Sequence, residues 1–225
     1  MHNLKIFKMN INLAVKNVVL VGEFKASLFD KYFFIKNNIT TEDDILEDSI
    51  FTPEISRLIT SELHVTIMPH QVVINDIQQN SDIVRATSIA KIIVGTSNLV
   101  ASAMGINLHW FLFGDKNENI IHLTKDLFFN REEKISKNFF DTDDAAYGLY
   151  LSKTFKDARL KLEIKPATLS RIEDNIEEKV LTFVFNYHID LNNDEDNNKL
   201  ILSVLDESSQ YYEESQRIID IYEFK

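Results

Sequence analysis

The chain has 225 residues, long enough for one large domain or two modest ones, and its 44% hydrophobic and 26% charged residues are the proportions of a folded protein. A formal charge of −11 disfavours a surface that tracks phosphate backbones, so nucleic acid is not expected as a partner. The absence of cysteine excludes disulfides, thiolate chemistry and cysteine-bound zinc.

In chain order, Asn17 to Phe24 (NVVLVGEF) reads as an apolar strand and Lys31 to Lys36 (KYFFIK) as a second, short one. The acidic stretch 37–49 predicts an exposed connection. Thr52 and Pro53 have the pattern of a helix start, a threonine cap with proline in the first helical position, and Ile55, Leu58, Ile59 and Leu63 follow at helical spacing. Residues 64–67 and 71–74 read as two strands around Met68-Pro69-His70, because a proline cannot donate within a central ladder.

Ser81 to Gly105 is expected to be the helix around which the chain is organised. Ile83, Ala86, Ala90, Ile93, Ser97, Val100 and Met104 recur on one helical face, and Ile89, Ile92, Thr96, Leu99 and Ala103 form a second face beside it. A helix apolar over that width needs a sheet beneath it and a second cover above, from the rest of the chain or from another subunit. Arg85, Lys91 and Asn98 interrupt the run and argue against a membrane span. No secretory signal pattern precedes the first strand, so a cytoplasmic location is expected.

Ile106 to Phe113 predicts a strand, and 114–119 is the clearest break in the chain. It divides an N-terminal α+β half, 1–116, from a C-terminal half, 117–225, the two packed as one continuous unit. In the second half an amphipathic helix is expected over Thr124 to Phe140, then a solvated turn at Asp141 to Asp144. Ala145 to Phe155 and Ala158 to Ile164 form a hairpin joined at Lys156 and Asp157, ended by Pro166. A polar excursion from Thr168 to Lys179 leads to a long strand, Val180 to Leu191. A closing helix is expected from about Lys199 to Glu223. The fold class is therefore α+β, with mostly antiparallel sheet packed against two long helices. Both halves run strands, a proline-marked pair of strands and a helix, an order that suggests an internal pseudo-repeat whose sheets join edge to edge with both helices on one side.

The candidate chemistry is sparse. None of the six histidines falls in a metal-binding pattern, so neither metal nor cofactor is expected. His64, His70 and Asp76 are the one local group with imidazoles and a carboxylate, and His188 is a fourth candidate for acid–base work. Asp190 to Asn198 begins with calcium-loop spacing but has Glu195 in place of the turn glycine and Ile201 where a bidentate glutamate is needed. Serine-nucleophile and phosphate-binding glycine patterns are absent from the sequence.

Those failures make protein–protein interaction, or a structural-subunit role, the leading functional expectation. The partner is expected to be a second copy, as a homodimer, or another protein, met through Arg85, Ile89, Ile92, Thr96 and Leu99 on the long helix and by edge-strand pairing. The alternative is a small-molecule-binding or hydrolytic enzyme with a pocket between the halves, built from His64, His70, Asp76 and His188.

Overall fold

The computed structural model describes residues 10–78, 81–96, 100–113, 120, 124, 138–140, 142, 145–171, 176–191 and 197–221. The described strands are β1 (Asn10–Glu23), β2 (Ile50–Phe51), β3 (Ser56–Ile59), β4 (Leu63–Met68), β5 (Gln71–Asp76), β6 (Val100–Phe113), β7 (Leu149–Phe155), β8 (Ala158–Arg171) and β9 (Ile176–Asp190). Helices α1 (Lys31–Lys36), α2 (Val84–Thr96), α3 (Asn197–Asp206) and α4 (Ser208–Asp220) join them.

All nine strands belong to one antiparallel sheet in the order β2-β3-β4-β5-β1-β6-β9-β8-β7. The fold is thus mixed α+β, with helices packed against an antiparallel sheet. Its strand order has an internal correspondence: β3-β4-β5-β1 on one side of the centre matches β7-β8-β9-β6 on the other, and each set is followed in the chain by helix. The long strands β1 and β6 meet at the middle, paired from Asn10 opposite Phe113 to Glu23 opposite Val100, with register shifts after Leu13 and after Val21.

Burial alternates along the strands as one covered face requires. Val18 and Leu20 of β1, Val72 and Ile74 of β5, Ile106 and Leu108 of β6, and Phe183 and Phe185 of β9 are all buried toward the helices. Helix α2 lies over β1 and β5, while α3 and α4 lie over β6 and also contact α2. Of the second apolar face of α2, Ile89 is buried, Ile92 is half-buried and Thr96 is exposed. Lys91 of α2 pairs with Asp206 of α3, and Trp110 of β6 donates its indole N–H to the Ser215 hydroxyl of α4 at 3.1 Å.

Several expected elements take a different form. The helix expected over Ser81 to Gly105 occupies only Val84–Thr96, and Val100 to Gly105 belongs to β6, where alignment with β1 outweighs local periodicity. Lys31–Lys36 is a helix, because Asp30 caps it by accepting from the Phe33 amide at 2.8 Å. Thr52 makes a comparable bond, from the Ile55 amide at 3.2 Å, but it closes a turn that delivers Ser56–Ile59 into the sheet. Pro166 does not end β8. It faces Leu181 of β9 beyond the last residue paired with β7, where no donor is required on its outer side. The closing helix is two helices, broken at Glu207. The expected helix over 124–140 and turn over 141–144 lie mostly outside the described residues, as does the calcium-like segment at 192–196.

Candidate functional site

The four candidate acid–base residues do not converge. His64 faces the side of the sheet away from the helices, while its neighbour in the ladder across from Leu63, Asp76, is wholly buried on the helix side. His70 is exposed at the β4–β5 turn. His188 lies on the face of β9 opposite α2, α3 and α4, where its Nε2 is 2.9 Å from Asp190. Of these residues, only Asp76 sits in an enclosed polar cluster, and its partner there is Lys16.

That cluster is a product of strand parity. Lys16 shares the inward parity of Val18 and Leu20, and the register places it directly opposite Asp76. Both are buried, with Lys16 Nζ 3.7 Å from Asp76 Oδ2. The ammonium also donates to the Ser81 carbonyl at 3.2 Å, to the Ser81 hydroxyl and to the Gln78 carbonyl. Asp76 Oδ1 accepts from the Gln78 amide at 3.0 Å, and Oδ2 from the Ser81 hydroxyl at 3.3 Å. Burial lowers the Lys16 pKa from its ordinary value, and the Asp76 carboxylate opposes that shift. A desolvated lysine beside a serine hydroxyl has the elements of proton abstraction, yet every donor here is spent on the start of α2. The geometry describes a clamp that fixes the β5–α2 connection to the centre of the sheet. Lys16 was absent from the candidate residues, although a lysine at an inward position of an alternating strand is a visible signal.

The face opposite α2, α3 and α4 carries a polar row. His64, Asn75, Asn17, Asn107, Asn186 and Lys161 occupy one register line across β4, β5, β1, β6, β9 and β8. Asn107 donates to the Asn17 side-chain carbonyl at 2.7 Å, and Asn186 donates to that of Asn107. His109, on the same face of β6, has its pKa lowered by burial, which keeps the imidazole neutral.

The residues expected at an interface on α2 are divided by the packing. Ile89 is buried within the chain, Arg85 pairs with Glu62 at 3.1 Å, Ile92 is half-buried, Thr96 is exposed, and Leu99 lies outside the described residues. Helix α2 leaves only a narrow strip to solvent, running along Val84, Ser88 and Gly95.

A more apolar exposed region lies elsewhere. Phe139 is 76% exposed, Phe140 52%, Tyr150 62% and Leu151 50%. Tyr147 holds this part of the chain together by donating its hydroxyl to the Phe140 carbonyl, two residues before β7 begins. At the far end of β7, Phe155 packs against Tyr187 and Tyr211 with ring centroids 5.8 and 5.6 Å apart, so that end is anchored to β9 and α4. No sequence signal distinguished this surface, because Phe139 and Phe140 fall at the end of the segment, Thr124 to Phe140, that reads as an amphipathic helix.

Among the described residues, no group of three His, Asp or Glu is arranged to hold a metal ion. Nor is any described helix long and apolar enough to cross a membrane. No protein-family model matches the chain, and no curated protein is similar to it in sequence.

Proposed function

We propose that this protein acts through protein–protein interaction, as a binding or structural subunit. The observation that carries the reading is the exposure of Tyr150 and Leu151 on the outermost strand β7, and of Phe139 and Phe140 in the segment that Tyr147 ties to its start, in a chain whose formal charge is −11. Water-exposed aromatic and aliphatic side chains of that size, on and next to a sheet edge, are the kind of surface that binding to another protein buries. The dispersal of His64, His70, Asp76 and His188 over two faces and a turn supports the same conclusion, since no two of the four side chains share a site.

Light scattering on the full chain tests this reading. The expected result is a mass above the 26.1 kDa of one chain, lowered toward that value by Phe139→Asp or Phe140→Asp with no loss of thermal stability. A chain that remains at 26.1 kDa up to about 100 μM, with both substitutions silent in solubility and in mass, removes it.

A further inference from the structure

The two edges of the sheet are finished differently. In the strand order, β3 and β7 hold equivalent positions, each outermost of the four strands on its side of the centre. Beyond β3 the chain adds β2, which pairs with Ser56 and Arg57. It then spends Ile59 as well: the Ile59 amide donates to the Ser49 hydroxyl at 3.0 Å, and its carbonyl accepts from the Leu46 amide at 2.9 Å. No described strand lies beyond β7. Its residues 150–154 form an unbroken exposed run that contains neither proline nor glycine.

Natural sheets usually blunt such an edge with charge, proline, a bulge or a covering segment. The one charged residue of β7, Lys153, is drawn back over the sheet by Glu214 of α4 at 2.6 Å. Glu214 also accepts from Arg217. Burial alone raises its carboxyl, but the bonds from Lys153 and Arg217 hold it below the usual carboxylate range and keep it ionised. The lysine therefore does not guard the edge.

We propose that β7 pairs antiparallel with β7 of a second copy, joining two nine-stranded sheets across a two-fold axis at Ser152. This rests on the protein-interaction reading and names its surface and partner. The strand is self-complementary about its centre. Leu149 meets Phe155 of the second copy, Tyr150 meets Thr154, Leu151 meets the aliphatic stem of Lys153, and Ser152 meets itself. No like charges face one another directly. The ladder parity agrees: counting back from the two-residue turn at Lys156 and Asp157, Tyr150, Ser152 and Thr154 aim their peptide groups away from β8. An isologous contact of this kind closes at two copies. Tyr150 and Leu151 lie inside it, and Tyr147 ties the Phe140 carbonyl to the start of the strand. Because each copy carries −11, added salt strengthens the pairing.

Sedimentation velocity on the full chain, from about 1 to about 100 μM, is the test. The expected result is a concentration-dependent dimer, tighter at higher salt. Ser152→Pro removes an outward amide, and Leu151→Lys sets a second lysine against Lys153. Each weakens dimerisation at least tenfold while far-UV circular dichroism stays unchanged, and the two together guard against a proline that fails to fold. The chain has no cysteine, so Ser152→Cys provides a clean probe. Mild oxidation should give a disulfide-linked dimer, while the same change at exposed Ser88 on α2 gives none. A dimer that survives both Ser152→Pro and Leu151→Lys overturns the assignment to β7 and leaves the interaction reading standing. A monomer throughout the range overturns the self-pairing together with the reading it rests on.

Discussion

Thr87 on α2 and Ser208 at the start of α4, 121 residues apart, share a hydrogen bond of 3.1 Å between buried hydroxyls. The contact ties one flank of α2 to α4. Thr87 is also bonded back to the carbonyls of Ile83 and Val84, so the polar pair is satisfied where water does not reach.

Ile89, on the other flank of α2, shows what the packing of this helix is worth. It is 4% exposed and lies two residues along α2 from Thr87. Ile89→Ala is expected to destabilise the fold by roughly 2–5 kcal/mol in urea denaturation, the cost of a deleted core side chain. Thr96→Ala, at the exposed end of the same helix, should stay within about 0.5 kcal/mol. Equal effects at the two positions would mean that Ile89 is no more enclosed than Thr96.

Lys16 and Asp76 form a pair whose value lies in its completeness. Removing one partner leaves the other charge buried, so Asp76→Asn or Lys16→Met alone is expected to cost roughly 3–5 kcal/mol. The double change Lys16→Met, Asp76→Leu replaces both charges by apolar groups and should cost less than the sum of the single changes. A double-mutant cycle measures the difference. Simple additivity would show that the two groups do not act as a pair.

Asn107 is the middle of the row on the face opposite α2, α3 and α4, donating to Asn17 and accepting from Asn186. All three are half-buried, so water can replace part of what is lost. Asn107→Ala is expected to cost about 1 kcal/mol, the net value of an ordinary hydrogen bond. Thermal denaturation of the single variant checks it, and a loss as large as that from Ile89→Ala would mean the face is more enclosed than its exposure indicates.

What the sequence showed and what it hid follow from where the information lies. Arg159 to Lys165 alternates cleanly because β8 has one wet face, and the Lys156–Asp157 turn is fixed by its immediate neighbours, with Lys156 at φ 52°. The α+β class, with helices packed against an antiparallel sheet, was legible for the same local reason. Val100 to Gly105 was not. Its small and apolar residues suit either period, and pairing with β1, some 80 to 90 positions earlier, selects the strand. Lys16 and Asp76 were illegible as a pair because only the β1–β5 register brings them together. The exposed edge of β7 depends on which strand ends the sheet, a property of the whole strand order that no window of the sequence contains.

Two buried groups move alkaline stability in opposite directions, which makes their separation a test of the core. Burial lowers the Lys16 pKa from 10.5, against the pull of Asp76, so the unfolded chain holds that proton to higher pH than the folded one. Stability from this group rises as pH climbs through its folded pKa toward 10.5. Burial raises the Tyr211 phenol from 10.0 to about 12, with Asp157 and Glu207 adding to the shift. Here the folded chain keeps its proton longer. The contribution is fully present below pH 10.0 and is lost as pH rises toward 12, by an amount of order 2–3 kcal/mol. Urea denaturation at a series of alkaline pH values should therefore show Tyr211→Phe flattening the fall above pH 10.0, and Lys16→Met removing the opposing rise below 10.5. Tyr187, whose ring lies 5.0 Å from that of Tyr211 and whose phenol burial also raises, remains in both proteins, so Tyr211→Phe reduces the alkaline loss without abolishing it. A profile unchanged by Tyr211→Phe would mean that the Phe155–Tyr187–Tyr211 cluster is open to solvent and does not anchor β7 to α4.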